Sequence, residues 1–141
     1  MKKGLFYFFL MLIITSCNKH DFMNNIDFQK FLLAGSANYH NNSHTWYLDS
    51  LTINGNALDL TTKQKAFNIT FKYDGTYTNS DGLYGNWDMI DLNHLNISTY
   101  NYSGTNSISK YTMLDINSVR FSYSNILNNV SYNYYYKIIN Q

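Results

Sequence analysis

Residues 67–77 read Phe67-Asn68-Ile69-Thr70-Phe71-Lys72-Tyr73-Asp74-Gly75-Thr76-Tyr77, and this stretch decides the fold class. Phe67, Ile69, Phe71 and Tyr73 alternate with Asn68, Thr70 and Lys72, a period of two that gives a strand one apolar and one polar face. Asp74-Gly75 then supplies a tight hairpin into a short strand carrying Tyr77.

The same pattern recurs on both sides. Upstream, Thr45 to Ile53 begins with Trp46 and Leu48 on one face and finishes with Leu51 and Ile53. The change of parity near Asp49-Ser50 predicts a β-bulge, and Asn54-Gly55 predicts a turn. Downstream of Asp81-Gly82 comes a strand through Gly85, Trp87 and Met89, then His94 to Tyr100 with Leu95 and Ile97 inward. Ser103-Gly104 turns the chain into Thr105 to Leu114, and Asp115-Ile116-Asn117 leads to Val119, Phe121 and Tyr123. After Asn128-Asn129 the last strand has Val130, Tyr132, Tyr134, Tyr136 and Ile138 inward. About eight short strands joined by turns too short for crossover helices predict an all-β, antiparallel up-and-down barrel.

Before the first strand, Asp27 to Gly35 reads as one brief helix. Phe28, Phe31 and Leu32 fall at i, i+3 and i+4 on one face, and Gly35 sits where a helix ends. That face must be buried, and it is the local element able to close one end of a barrel. Because it enters just before Trp46, that tryptophan is expected at the plugged end. With Trp87, these residues form the expected barrel-closing core.

The amino terminus has a different character. Lys2 and Lys3 precede an unbroken apolar run, Leu5 to Ile14, too short to span a bilayer as a helix. It ends in Ile14-Thr15-Ser16-Cys17, which resembles the bacterial lipobox. That resemblance implies cleavage before Cys17, a lipid on its sulfur and acylation of the new amino terminus. The expected organisation is a signal peptide over 1–16, an acylated cysteine and tether over 17–26, and the barrel domain over 27–141. Several acyl chains on one residue exceed what stable anchoring needs, so the expected partner is a membrane of the cell envelope. The expected address is the outer membrane, facing the periplasm or the cell surface. Cys17 is the one cysteine, so no internal disulfide and no thiol catalysis is expected.

Composition narrows the function classes. Ten Lys and Arg balance nine acids, and Arg120 is the sole arginine, which argues against nucleic-acid binding. All nine acids are Asp, so a mechanism that needs Glu is excluded. The chain is 45% hydrophobic and 18% aromatic, enough for a packed core. The alternation alone does not say whether the apolar face points in or out; the short strands and the lipobox favour apolar-inside.

Several segments together resemble the bacterial lipocalin-like lipoproteins. They are Trp46-Tyr47-Leu48 with Asn54-Gly55, Phe71-Lys72-Tyr73-Asp74-Gly75-Thr76-Tyr77, and Gly85-Asn86-Trp87. Ile108-Ser109-Lys110-Tyr111-Thr112-Met113-Leu114, Val119-Arg120-Phe121 and Tyr135-Tyr136-Lys137 complete the pattern over about residues 28–139. Lipocalins begin the first strand with Gly-x-Trp, whereas His44 stands there in this chain. By parity Arg120 faces away from Phe121's side, so the family's barrel-closing arginine is not carried over. The resemblance implies a cup-shaped barrel for a small hydrophobic ligand, without catalysis.

If Trp46 lies at the plugged end, the mouth lies near Asn54-Gly55. The loops around Asp74-Gly75, Asp91-Leu92-Asn93 and Asp115-Ile116-Asn117 are expected to share it. Phe71, Tyr73, Tyr77, Met89, Leu95 and Leu114 are then the expected cavity wall. Off-phase Tyr47, Tyr102 and Tyr135 are candidates for an outer patch of the kind that stacks on sugar rings. That patch keeps a rival reading open, a glycan-binding or protein-interaction module on a solid barrel. His40 and His44 stand at i, i+4 but lack the Glu of a zinc-protease helix and read as solvated loop residues. Asp88 and Asp91 lack a positioned acid partner. Five Asn-x-Ser/Thr triplets are expected by chance among 21 asparagines. No cofactor or metal is expected, and the chain is expected to be a monomer.

Overall fold

The computed structural model describes residues 25–35, 42–100 and 106–139. The leader, Cys17, the tether as far as Asn24, His40, Tyr102 and the Ser103-Gly104 turn lie outside the described residues. Helix α1 (Ile26–Ala34) is followed by strand β1 (Ser43–Ile53), β2 (Asn56–Leu58), helix α2 (Thr62–Ala66) and β3 (Asn68–Lys72). Then come β4 (Thr76–Asn79), β5 (Tyr84–Asp91), β6 (His94–Tyr100), β7 (Asn106–Ile116), β8 (Arg120–Leu127) and β9 (Val130–Lys137). Strand β1 pairs antiparallel with both β2 and β3, each strand from β3 onward pairs antiparallel with the next, and β9 returns to β1, with Leu48 opposite Tyr136 and Ile53 opposite Tyr132. The result is a closed eight-stranded antiparallel barrel. Closure leaves no long edge to template aggregation.

The β2 strand does not add a stave. It pairs with Leu51–Ile53 of β1, while β3 pairs with Ser43–Tyr47 along the same edge. The two are one passage down the barrel, interrupted by α2. That helix starts on a capping box: Thr61 Oγ1 accepts from the Gln64 amide at 3.3 Å, and Gln64 Oε1 accepts from the Thr61 amide at 2.9 Å. The signal Thr61-x-x-Gln64 is local and lies in the sequence, outside any period-two pattern.

This passage settles which turns share an end. Lys72 lies opposite Ser43, so Asp74-Gly75 sits at the α1 end of the barrel. Alternation then puts Leu92-Asn93 and Asn117–Val119 at that end too, and the Met113 amide donates to the Asn93 carbonyl there at 2.7 Å. The other end holds Asn54-Gly55, Ser80–Leu83 and Asn128-Asn129, and the Asn54 amide donates to the Ser131 carbonyl at 2.8 Å. The expectation that the Asp74-Gly75, Asp91–Asn93 and Asp115–Asn117 loops join Asn54-Gly55 at the mouth is therefore corrected. In a meander alternate connections share an end, whereas Asn54-Gly55 and Asp74-Gly75 are consecutive ones.

Helix α1 closes its end through its last turn, not through the predicted stripe. Leu33 and Ala34 are fully buried, whereas Phe31 is 42% exposed and Phe28 and Leu32 are half-buried. The cause is visible in the helix's final carbonyls, which have no partner inside the helix. The Trp46 indole N–H donates to the Leu33 carbonyl at 2.7 Å, and His44 Nδ1 bonds the Leu32 carbonyl at 2.9 Å. Residues two apart on β1 thus cap α1 from the barrel side, and Gly35, at φ +83°, closes the turn on the Phe31 carbonyl at 2.8 Å. His44 is a structural hydrogen-bonding residue rather than a solvated one. Lys30 Nζ adds an ion pair to Asp88 Oδ1 at 2.7 Å.

Above α1 the barrel is solid. Trp46, Phe71 and Phe121 are buried and meet edge-on or tilted, with ring centroids 5.5–5.8 Å apart. Trp87 packs against Phe71 at 5.5 Å and donates its indole N–H to the Lys72 carbonyl at 2.9 Å. Met89, Leu95, Ile97 and Tyr77 complete this layer. The predicted bulge occurs, as a register shift between Leu48 and Ser50.

Candidate functional site

The opposite half of the barrel is open. A cavity of about 600 Å³ lies at the Asn54-Gly55 end. One wall is aliphatic: Leu48, Leu51 and Ile53 from β1, with Leu58 and Leu83 at the rim. The other is a tyrosine wall from β7, β8 and β9, made of Tyr111, Tyr123, Tyr132, Tyr134 and Tyr136. The period of two places alternate tyrosines of β9 on this face, and the β8–β9 register sets Tyr123 opposite Tyr134. Ring centroids are 4.6 Å apart for Tyr111–Tyr123, 5.0 Å for Tyr123–Tyr134 and 5.7 Å for Tyr123–Tyr136. These separations suit offset or tilted aromatic contacts.

Tyr123 and Tyr136 form the cavity floor. Both are buried, and their hydroxyls bond each other at 3.1 Å. Burial pushes the Tyr123 phenol well above its usual pKa and the Tyr134 and Tyr136 phenols above theirs, with neighbouring tyrosines adding to the rise. These three phenols therefore stay protonated and neutral at physiological pH. Higher up, the hydroxyls of half-buried Tyr111, Tyr132 and Tyr134 have no hydrogen-bond partner among the described residues.

Polar groups gather at the rim. Lys63 of α2 reaches Asp81 of the β4–β5 turn, Nζ to Oδ1 at 3.0 Å, so the two neutralise each other at the cavity's edge. The Asn79 side-chain oxygen accepts from the Asp81 and Leu83 amides and holds that turn.

None of the six expected wall residues lines this cavity. Phe71, Tyr77, Met89 and Leu95 are inward and buried, but they fill the solid half. Tyr73 is 42% exposed because β3 ends at Lys72 and the hairpin carries Tyr73 out of the ladder. Leu114 is 48% exposed: a register shift between Met113 and Asp115 reverses parity, and Met113 takes the inward place. The tyrosines were legible as an inward set on the last strand, but their position at the mouth required the correct end for each turn.

The remaining candidates have local roles. Asp88 pairs with Lys30, while Asp91 accepts from His94 Nδ1 at 2.8 Å, a bond that, with the Asn93 amide, lowers its carboxyl pKa. Among the described residues no cluster of three His, Cys or Asp could hold a metal ion. Arg120 is exposed, and Tyr47 and Tyr135 are half-buried. An outer aromatic pair that parity did not single out is Tyr84 and Tyr100, with centroids 6.0 Å apart and the Asn86 amide donating to the Tyr100 hydroxyl at 3.0 Å.

No protein-family model matches the chain, and no curated protein matches it.

Proposed function

We propose that this chain is a lipid-anchored, lipocalin-like binding protein of the bacterial cell envelope, with a barrel mouth that takes a small apolar molecule. The observation that carries this reading is the cavity of about 600 Å³ between aliphatic and tyrosine walls, a size and lining typical of small-molecule sites. Its opposite end is plugged by α1 and the aromatic layer, so the ligand enters from one side. The reading includes no catalysis: Asp88 and Asp91 are committed to Lys30 and His94. The anchor rests on the lipobox sequence at Cys17.

Two measurements test the two halves of this reading. The neutral fluorescent probe N-phenyl-1-naphthylamine should bind the folded chain in the micromolar range, about 8 kcal/mol, and Leu51→Trp should weaken it by filling the cavity. Cys17→Ala should move the protein out of the membrane fraction and stop palmitate labelling. A folded chain that binds no probe would favour the solid-scaffold alternative, for which exposed Tyr84, packed on half-buried Tyr100, is the sugar-stacking candidate.

A further inference from the structure

The proposed cup does not treat all apolar molecules alike. One wall is a bank of tyrosine rings stacked and tilted on one another, with centroid separations of 4.6–5.7 Å from Tyr111 through Tyr123 to Tyr134 and Tyr136, so that it offers a ligand ring edges as well as faces. Flat rings gain contact and quadrupole complementarity against such a bank, which a flexible alkyl chain does not. The wall also offers hydroxyl donors, at Tyr111, Tyr132 and Tyr134, that have no hydrogen-bond partner among the described residues.

Charge argues in the same direction. A fatty-acid carboxylate carried into the cavity needs a buried cation to offset its desolvation. The cation lining this cavity, Lys63, has a side chain 80% exposed and already paired with Asp81. From this arrangement we infer that the cup selects neutral, planar aromatic molecules bearing a carbonyl or similar acceptor oxygen, and discriminates against fatty acids. The rings lie on the tyrosine bank, and the oxygen accepts from Tyr111 or Tyr134. This inference rests on the cup reading above.

The test is titration calorimetry of the full chain in lipid nanodiscs, with empty nanodiscs as the reference. Three ligands are compared: 2-acetonaphthone, its isostere 2-ethylnaphthalene, which lacks the acceptor, and laurate. The expected order is 2-acetonaphthone, then 2-ethylnaphthalene, then laurate at least about 10-fold weaker than the first. Tyr111→Phe with Tyr134→Phe should weaken 2-acetonaphthone by about 3–10-fold, the worth of a neutral hydrogen bond, and leave 2-ethylnaphthalene within about 2-fold. Unchanged hydrocarbon binding also reports that the double variant is folded. Laurate binding as tightly as 2-acetonaphthone, or a double variant that weakens neither ring compound, would overturn the inference and leave the cup reading standing. Binding of none of the three would overturn both.

Discussion

Gly85 shows how much one missing side chain matters in this barrel. It is buried on β5 opposite Tyr77, and a Cβ placed there would overlap the Ser98 carbonyl and come within 3.0 Å of the Tyr77 ring. The obstacle is mostly backbone, which cannot rotate away. Gly85→Ala should therefore destabilise the protein by at least about 2 kcal/mol, above the ordinary cost of a surface change, as read by urea denaturation. A cost below about 0.5 kcal/mol would mean that β5 and β6 are less closely apposed. The sequence marks Gly85 only as a glycine between Tyr84 and Trp87. Its need for glycine arises from β6, which parity along β5 cannot see.

At the scale of elements, α1 illustrates the difference between a pattern and a contact. Phe28, Phe31 and Leu32 make a correct helical stripe, and the helix does form and does close one end. It docks by its carboxyl-terminal turn, however, because Trp46 and His44 present donors to the Leu33 and Leu32 carbonyls. Leu33→Ala should then cost about 2–5 kcal/mol, the range for a fully buried leucine, whereas Phe31→Ala should cost less than about 1.5 kcal/mol. The reverse order in thermal or urea unfolding would restore the stripe as the docking face. Helix α2 makes the complementary point: five residues held by a capping box divide one barrel passage in two.

For the whole molecule, buried Tyr123 and Tyr136 and half-buried Tyr134 couple stability to alkaline pH. Tyr123, Tyr134 and Tyr136 have phenol pKa values raised in the folded state above that of the unfolded chain. A raised value means that the folded protein holds its proton where the unfolded chain releases it. The associated stability is fully present below about pH 10 and declines as pH rises beyond it. Tyrosinate absorbance at 295 nm should thus show Tyr123, Tyr134 and Tyr136 as a class that ionises only above the ordinary tyrosine range. That class should ionise together with loss of the β-type circular dichroism. Ionisation of every tyrosine in one step near pH 10, with the spectrum intact, would contradict their burial.

The β class, the antiparallel order, the bulge near Asp49-Ser50 and most turns were legible in the chain, because a period of two and Asn/Asp-Gly turns are local properties. An inward orientation was likewise legible for Phe71, Trp87, Leu95 and the β9 tyrosines. Two things were not local. Parity reverses at each bulge, which placed Met113 inside and Leu114 outside. The end of the barrel that each turn occupies follows from counting passages: β2 and β3 together make one, so Asn54-Gly55 and Asp74-Gly75, at its two ends, lie at opposite ends of the barrel. The sequence alone determined that apolar and aromatic residues share one face of an antiparallel barrel, since alternation dictates a face. Tertiary structure decided which half is filled and which is open. That depends on strand register and closure, through which Trp46, Phe71 and Phe121 meet in one layer and the tyrosines of β7, β8 and β9 surround empty space.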